Sequence, residues 1–151
     1  MRFDLLLQEF LRDAIIEKEI RIFGADYWRP LINVNDMANA CQRVIESKGD
    51  VISCQTFNVG DDSENYTKIE LAKIIQEFIP SIKISVSESK NDPRNYKVSF
   101  EKIRRQLNFT AKNSVKDSVK EILAEINSGR LDPVDSEFSN MAKMTENVAV
   151  F

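Results

Sequence analysis

The 151-residue sequence contains no histidine. That removes the commonest acid–base group near neutral pH and the commonest metal ligand. Glycine is scarce, with only Gly24, Gly49, Gly60 and Gly129. No two of these fall at the spacing of a dinucleotide-binding turn, which needs glycine where backbone approaches a pyrophosphate. The two cysteines, Cys41 and Cys54, show no metal or redox spacing. They are expected to be buried free thiols, consistent with a reducing cytoplasm. No apolar run approaches the length of a membrane span. At the start, Asp4, Gln8, Glu9 and Arg12 interrupt any apolar core of a signal peptide, and none is expected. A basic excess is also missing: the net charge is −3 with interspersed signs, which argues against a nucleic-acid partner.

What is present suits one soluble globular domain. Apolar residues make up 42% and charged residues 30%, enough for a buried core in a chain of this length. Residues 3 to 17 place Phe3, Leu7, Phe10, Leu11, Ala14 and Ile15 at helical spacing. Glu19 to Gly24 alternates as a short strand. Asp36 to Ser47 predicts a helix with Met37, Ala40, Cys41, Val44 and Ile45 inward, broken at Gly49-Asp50. Thr56 to Val59 reads as a buried strand, and Asp61 to Asn65 as a solvated loop whose adjacent acids face water.

Thr67 and Glu70 form a capping box ahead of a helix that stops at Pro80. Ile82 to Val86 alternates as a half-exposed strand, Ser87 to Asn95 is a loop, and Phe100 to Leu107 a short helix. Ser114 caps a last helix with Val115, Val119, Ile122 and Ile126 inward, ended by Gly129. The expected architecture is α/β: a small mixed sheet with flanking helices over residues 1–128, then a polar tail over 129–151.

The most informative stretch runs from Ile22 to Asp36. A tight turn over Gly24 to Tyr27 leads to a strand over Arg29 to Val34, and Asn35 or Asp36 opens a helix. Arg29 sits in that strand between Trp28 and Pro30. A planar, permanently charged fork on a rigid element suits capture of a phosphate or carboxylate. The structural alternative is an ion pair with Asp26 or Asp36. Asn33, Asn58 and Asn65 read as turn and cap hydrogen-bonders.

Phe23-Gly24, then Arg29-Pro30-Leu31-Ile32-Asn33-Val34-Asn35-Asp36, then Phe57-Asn58-Val59-Gly60, Asp92-Pro93-Arg94-Asn95-Tyr96 and Phe100-Glu101-Lys102-Ile103 form an ordered set. This set resembles the C-terminal, substrate-binding half of the extended short-chain dehydrogenase/reductases, the NAD-dependent nucleotide-sugar epimerase/dehydratase family. Asn33 stands where the family usually has histidine.

The resemblance implies that Arg29 contacts the phosphates of a nucleotide-diphosphate sugar. It implies that Arg21 and Phe23 line the base pocket, with solvated Arg21 and core Phe23 as the alternatives. Arg94 is implied as a second phosphate ligand and Asp92 as a ribose ligand; Lys90 is another source of charge there. Tyr96 is expected to pack with a tethered hydroxyl. The family's Tyr-x-x-x-Lys is absent, since Leu31, Glu70 and Phe100 follow Tyr27, Tyr66 and Tyr96 at that spacing. The chain thus resembles a substrate half without its Rossmann half, binding no cofactor alone, with NAD(P) implied for a complete enzyme. A separate Rossmann-domain chain is the implied partner. The other readings are a non-catalytic nucleotide-sugar-binding module and a protein-interaction module.

Overall fold

A computed structural model describes residues 2–87 and 94–138. Helix α1 spans Leu6–Ile16 and buries Leu7, Phe10, Leu11 and Ala14 along one stripe. Lys18, at φ 55, turns the chain into β1 (Glu19–Phe23). Strand β2 follows at Trp28–Pro30, then α2 (Val34–Glu46) and a single turn, α3 (Gly49–Ile52). A short 3-10 turn at Asp62–Glu64 leads into β3 (Asn65–Thr67), α4 (Lys68–Phe78) and β4 (Lys83–Ser87). Helices α5 (Glu101–Leu107) and α6 (Val115–Asn127) complete the regular structure before a 3-10 turn at Ser136–Phe138.

The fold is α/β, but among the described residues the strands form two separate two-stranded sheets rather than one mixed sheet. β1 pairs in parallel with β4, from Glu19 opposite Lys83 to Phe23 opposite Ser87. β2 pairs antiparallel with β3, placing Arg29 opposite Tyr66. Pro30, which has no N–H to donate, stands opposite Asn65.

Two apolar clusters lie beneath these elements. The larger joins the α1 stripe to Ile20 and Ile22 of β1, Leu71 and Ile75 of α4, and Val115, Val119 and Ile122 of α6. Leu131 joins it, and Phe138 meets Phe3 edge to face, with the Phe3 N–H donating to the Phe138 carbonyl at 2.7 Å. The smaller cluster gathers Ala40, Phe100, Ile103, Leu107 and Phe109 under α2 and α5. Gly60 belongs here, since a Cβ at that position would come within 2.6 Å of the Phe100 ring.

Several expectations are corrected. α2 turns inward on Asp36 and Ala40, with Val44 half-buried, and leaves Val34 76% and Ile45 82% exposed, together with Met37. Cys41 lies on that outward side and Cys54 in an exposed turn at φ 56, so neither thiol is buried. Residues 56–59 form no strand, because no described segment offers them a backbone ladder. Their contacts come from side chains instead: Lys102 Nζ donates to the Thr56 carbonyl at 2.8 Å and Asn58 Nδ2 to the Ser99 carbonyl at 3.3 Å.

The acidic loop is the largest correction. Glu64 and Asn65 are buried. Glu64 accepts from the Val115 N–H at 2.8 Å and the Tyr66 hydroxyl at 3.3 Å, so a carboxylate caps the start of α6. Asp62 accepts from the Phe100 N–H at 3.2 Å and from Arg104 at 3.1 Å. Asp36 is likewise buried, accepting from the Lys112 and Asn113 N–H groups and the Asn113 amide.

Glu64→Ala should lower the unfolding free energy by about 1–3 kcal/mol, the usual cost of an unmatched buried donor. Glu64→Gln keeps an acceptor for Val115 and should cost less; urea titration at neutral pH separates the two. The pH dependence has two opposing parts. Burial pushes the Glu64 carboxyl up, against the hydrogen bonds from Val115 and Tyr66. Its contribution is therefore full below the ordinary carboxylate value and declines as pH rises through the raised one. The hydroxyls of Thr67 and Ser114 hold Glu70 and Asp117 below the ordinary range in their capping boxes. Those contributions are present above that range and are lost as pH falls through the lowered values. Glu70→Gln should flatten the acid limb of a stability–pH profile, and an unchanged limb would count against this account.

Candidate functional site

The site is built on the turn between β1 and β2. Gly24 adopts φ +65, and the Tyr27 N–H donates back to its carbonyl at 3.0 Å. A Cβ on Gly24 would meet the Tyr27 ring at 2.8 Å, so the turn requires glycine on both counts. The turn delivers Trp28 and Arg29 into the ladder with β3. Half-buried Arg29 donates from Nη1 to the Trp28 carbonyl at 2.7 Å, and its guanidinium lies 5.8 Å from the Tyr96 ring centroid. Asp36, proposed from sequence as a possible partner for Arg29, is committed to Lys112 and Asn113 instead.

Residues 94–100 form neither helix nor strand, yet side chains pin them to the β2–β3 pair. The Trp28 N–H donates to Asn95 Oδ1 at 2.9 Å. Asn65 acts as a surrogate strand: its Oδ1 accepts from the Val98 N–H at 3.0 Å and its Nδ2 donates to the Val98 carbonyl at 2.9 Å. These ties place Tyr96 against Arg29, and put Lys97 Nζ 4.4 Å from the Trp28 ring centroid. Arg94 is exposed just ahead of Asn95. Lys68 Nζ donates to the Phe23 carbonyl at 2.9 Å and sits 5.8 Å from the Tyr27 ring centroid.

The result is a surface where cations alternate with aromatic rings. Cations of this kind hold phosphates, and exposed rings offer flat apolar faces to a base. Phe23 is 58% exposed, so the structure does not use it as core. Arg21 stands outside the cluster, exposed on β1, where its Nε donates to Glu19 at 3.2 Å. Tyr96 is exposed rather than packed, and its ring faces the Arg29 guanidinium. Asp92 and Lys90 lie outside the described residues. Sequence reading missed Trp28, Lys68, Asn95 and Lys97. The signal was the basic–aromatic interleaving of Tyr27-Trp28-Arg29 and Arg94-Asn95-Tyr96-Lys97.

Tyr66, opposite Arg29, is pushed up to about 12, first by burial and then by the Glu64 charge, so it keeps its proton at neutral pH. The glycines do not fit a dinucleotide cradle. Gly24 and Gly60 give way to aromatic rings, and a Cβ at Gly49 or Gly129 would meet nothing within 4 Å. Among the described residues no three cysteine or acidic side chains converge on a metal position. No helix among them is long and apolar enough to cross a membrane.

No protein-family model matches the chain. Its fold is similar to parts of several solved structures. An NAD-dependent NDP-hexosamine 5,6-dehydratase of tunicamycin biosynthesis matches with a TM-score of 0.72 at 13% identity, over 89% of this chain and 43% of that one. A UDP-glucose 4-epimerase from Thermotoga maritima, solved with UDP-glucose, gives 0.70 at 18% identity, over 84% and 40%. An L-threonine dehydrogenase from Phytophthora infestans gives 0.68 at 19% identity, over 82% and 41%. These likenesses establish the fold, and the chain spans about two-fifths of the length of each of these structures.

Asn65→Ala should free residues 94–98 from β3. Hydrogen exchange at the Val98 amide should accelerate, and stability should fall by about 1–3 kcal/mol for the unmatched groups. Unchanged protection at Val98 would show that the segment is held by something else.

Proposed function

We propose that this chain is the substrate-gripping portion of an NAD(P)-dependent nucleotide-sugar epimerase or dehydratase. It would work with a dinucleotide-binding unit that supplies the cofactor and the proton-handling Tyr/Lys pair. The observation that carries this reading is Arg29. It is fixed on β2 by the Trp28 carbonyl and faced by the Tyr96 ring, on a tethered segment that also carries Arg94 and puts Lys97 over the Trp28 ring. In this reading Arg29 and Arg94 take the diphosphate, with Lys97 contributing charge. Phe23 packs against the base, with Arg21 at the edge of that pocket and Asp92 on the ribose. NAD(P) would accept and return hydride when bound, but no residue described here cradles it, and no step is assigned to this chain beyond binding and orienting substrate.

The fold likeness supports the reading, since one matched protein is named for UDP-glucose and another for an NDP-hexosamine. The outward side of α2 supports the need for a second unit: Val34, Met37 and Ile45 together expose an apolar strip.

Isothermal titration of the purified chain with UDP-, GDP-, CDP- and dTDP-sugars tests the site. Saturable binding to one nucleotide class should weaken about tenfold or more in Arg29→Ala, the loss expected for a charged hydrogen bond of roughly 1.5–3 kcal/mol. Equal affinity in a folded Arg29→Ala protein would sink the assignment.

A further inference from the structure

A cavity of about 390 Å³ opens between α2 and the chain joining α5 to α6, sharing no residue with the Arg29 cluster. Asn39, Gln42, Arg43 and Glu46 form its α2 wall. Asn108, Thr110 and Lys112 face them, over buried Phe109.

The facing wall is fixed rather than loose. Asp36 accepts from the Lys112 N–H at 3.1 Å, the Asn113 N–H at 2.9 Å and Asn113 Nδ2 at 3.0 Å. Asn108 closes α5 in the left-handed conformation at φ 49, and Phe109 anchors the next position in the smaller apolar cluster. These contacts hold the far wall against α2 before any ligand arrives.

Formally the lining balances, with Arg43 and Lys112 against Asp36 and Glu46, but both carboxylates are engaged by neutral donors. The Asp36 carboxylate is occupied by its three donors, and Glu46 accepts from Gln42 Nε2 at 2.7 Å. Arg43 and Lys112 approach the same space from opposite walls and enter no ion pair among the described residues. Two unpaired cations facing one space favour an anion between them. The remaining lining consists of amides, a hydroxyl and a carboxylate, which donate to and accept from hydroxyl groups. The volume is at the small end of the ~300–1,000 Å³ range of small-molecule sites.

We propose that this cavity binds a small hydroxylated anion, a phosphate ester of a sugar or other polyol. Arg43 and Lys112 take the phosphate. Asn39, Asn108, Thr110 and Glu46 take the hydroxyls. The site is separate from the one proposed for the nucleotide sugar and does not rest on that reading.

The test is calorimetric titration of the intact chain with glucose 1-phosphate, alongside glucose. Saturable binding of the ester and none of glucose is expected. Arg43→Gln and Lys112→Gln, both at exposed positions, should each weaken it about tenfold or more. Arg29→Ala should leave it unchanged. No saturable binding by protein with native circular dichroism would overturn the proposal, as would full affinity in both glutamine variants. Loss of binding in Arg29→Ala would also overturn it, by moving the ester to the other site.

Discussion

Glu64 and Asn65 sit where three otherwise separate pieces of chain meet, and both are buried. One carboxylate caps α6 through the Val115 N–H; the neighbouring amide reads both backbone groups of Val98. The Glu64 carbonyl also accepts from the Leu31 N–H at 3.0 Å, which continues the β2–β3 pairing past Pro30. Buried polar groups of this kind are costly when unmatched and specific when matched. A two-stranded sheet of three-residue strands has little stability of its own. What keeps β2 in place is this set of side-chain bonds, together with the Lys68 and Ile69 N–H groups donating to the Tyr27 and Ala25 carbonyls.

The candidate site inherits that rigidity. Arg29 is one residue from Pro30, and the segment carrying Arg94, Tyr96 and Lys97 has no ladder of its own. Its geometry is borrowed from Asn95 at one end and Asn65 at the other. A guanidinium held against a ring loses less rotamer freedom on binding than a free one does, which favours recognition over mere electrostatic attraction. The raised Tyr66 follows from the same arrangement. Burying a phenol beside the capping carboxylate keeps the strand neutral at its core-facing edge and leaves the positive charge at the surface.

Local signals were legible in the sequence and long-range ones were not. The Thr67–Glu70 box, the Ser114 cap, the α1 stripe and the turn at Gly24 depend on residues within a few positions of one another, and each is found. The placement of Arg29 on a short strand was legible for the same local reason. The acidic loop was misread because its burial is decided by partners 33 to 51 residues away, at Val98 and Val115. No window over residues 61–65 contains that information. α2 was misread for a related reason. Two overlapping stripes, 36–40–44 and 34–37–41–45, both have helical spacing, and hydrophobicity took Met37, Cys41 and Ile45 inward along with Ala40 and Val44 while passing over Asp36. Asp36 decides the matter by binding the 112–113 turn, a contact across 76 residues.

The two places where apolar pattern and observed burial disagree have a common physical form. The outward side of α2 carries Val34, Met37, Cys41 and Ile45, and residues 56–59 carry a strand pattern with no ladder. Each is a surface that gains free energy from a neighbour, the first by covering apolar area and the second by pairing backbone groups. The Arg29 site does not depend on either, since its bonds run to β3 and residues 94–98. In the proposed function, substrate gripping and partner docking would therefore draw on different residues. A partner seated on α2 and residues 56–59 would bring its cofactor to a substrate site that is already formed, rather than creating that site by binding.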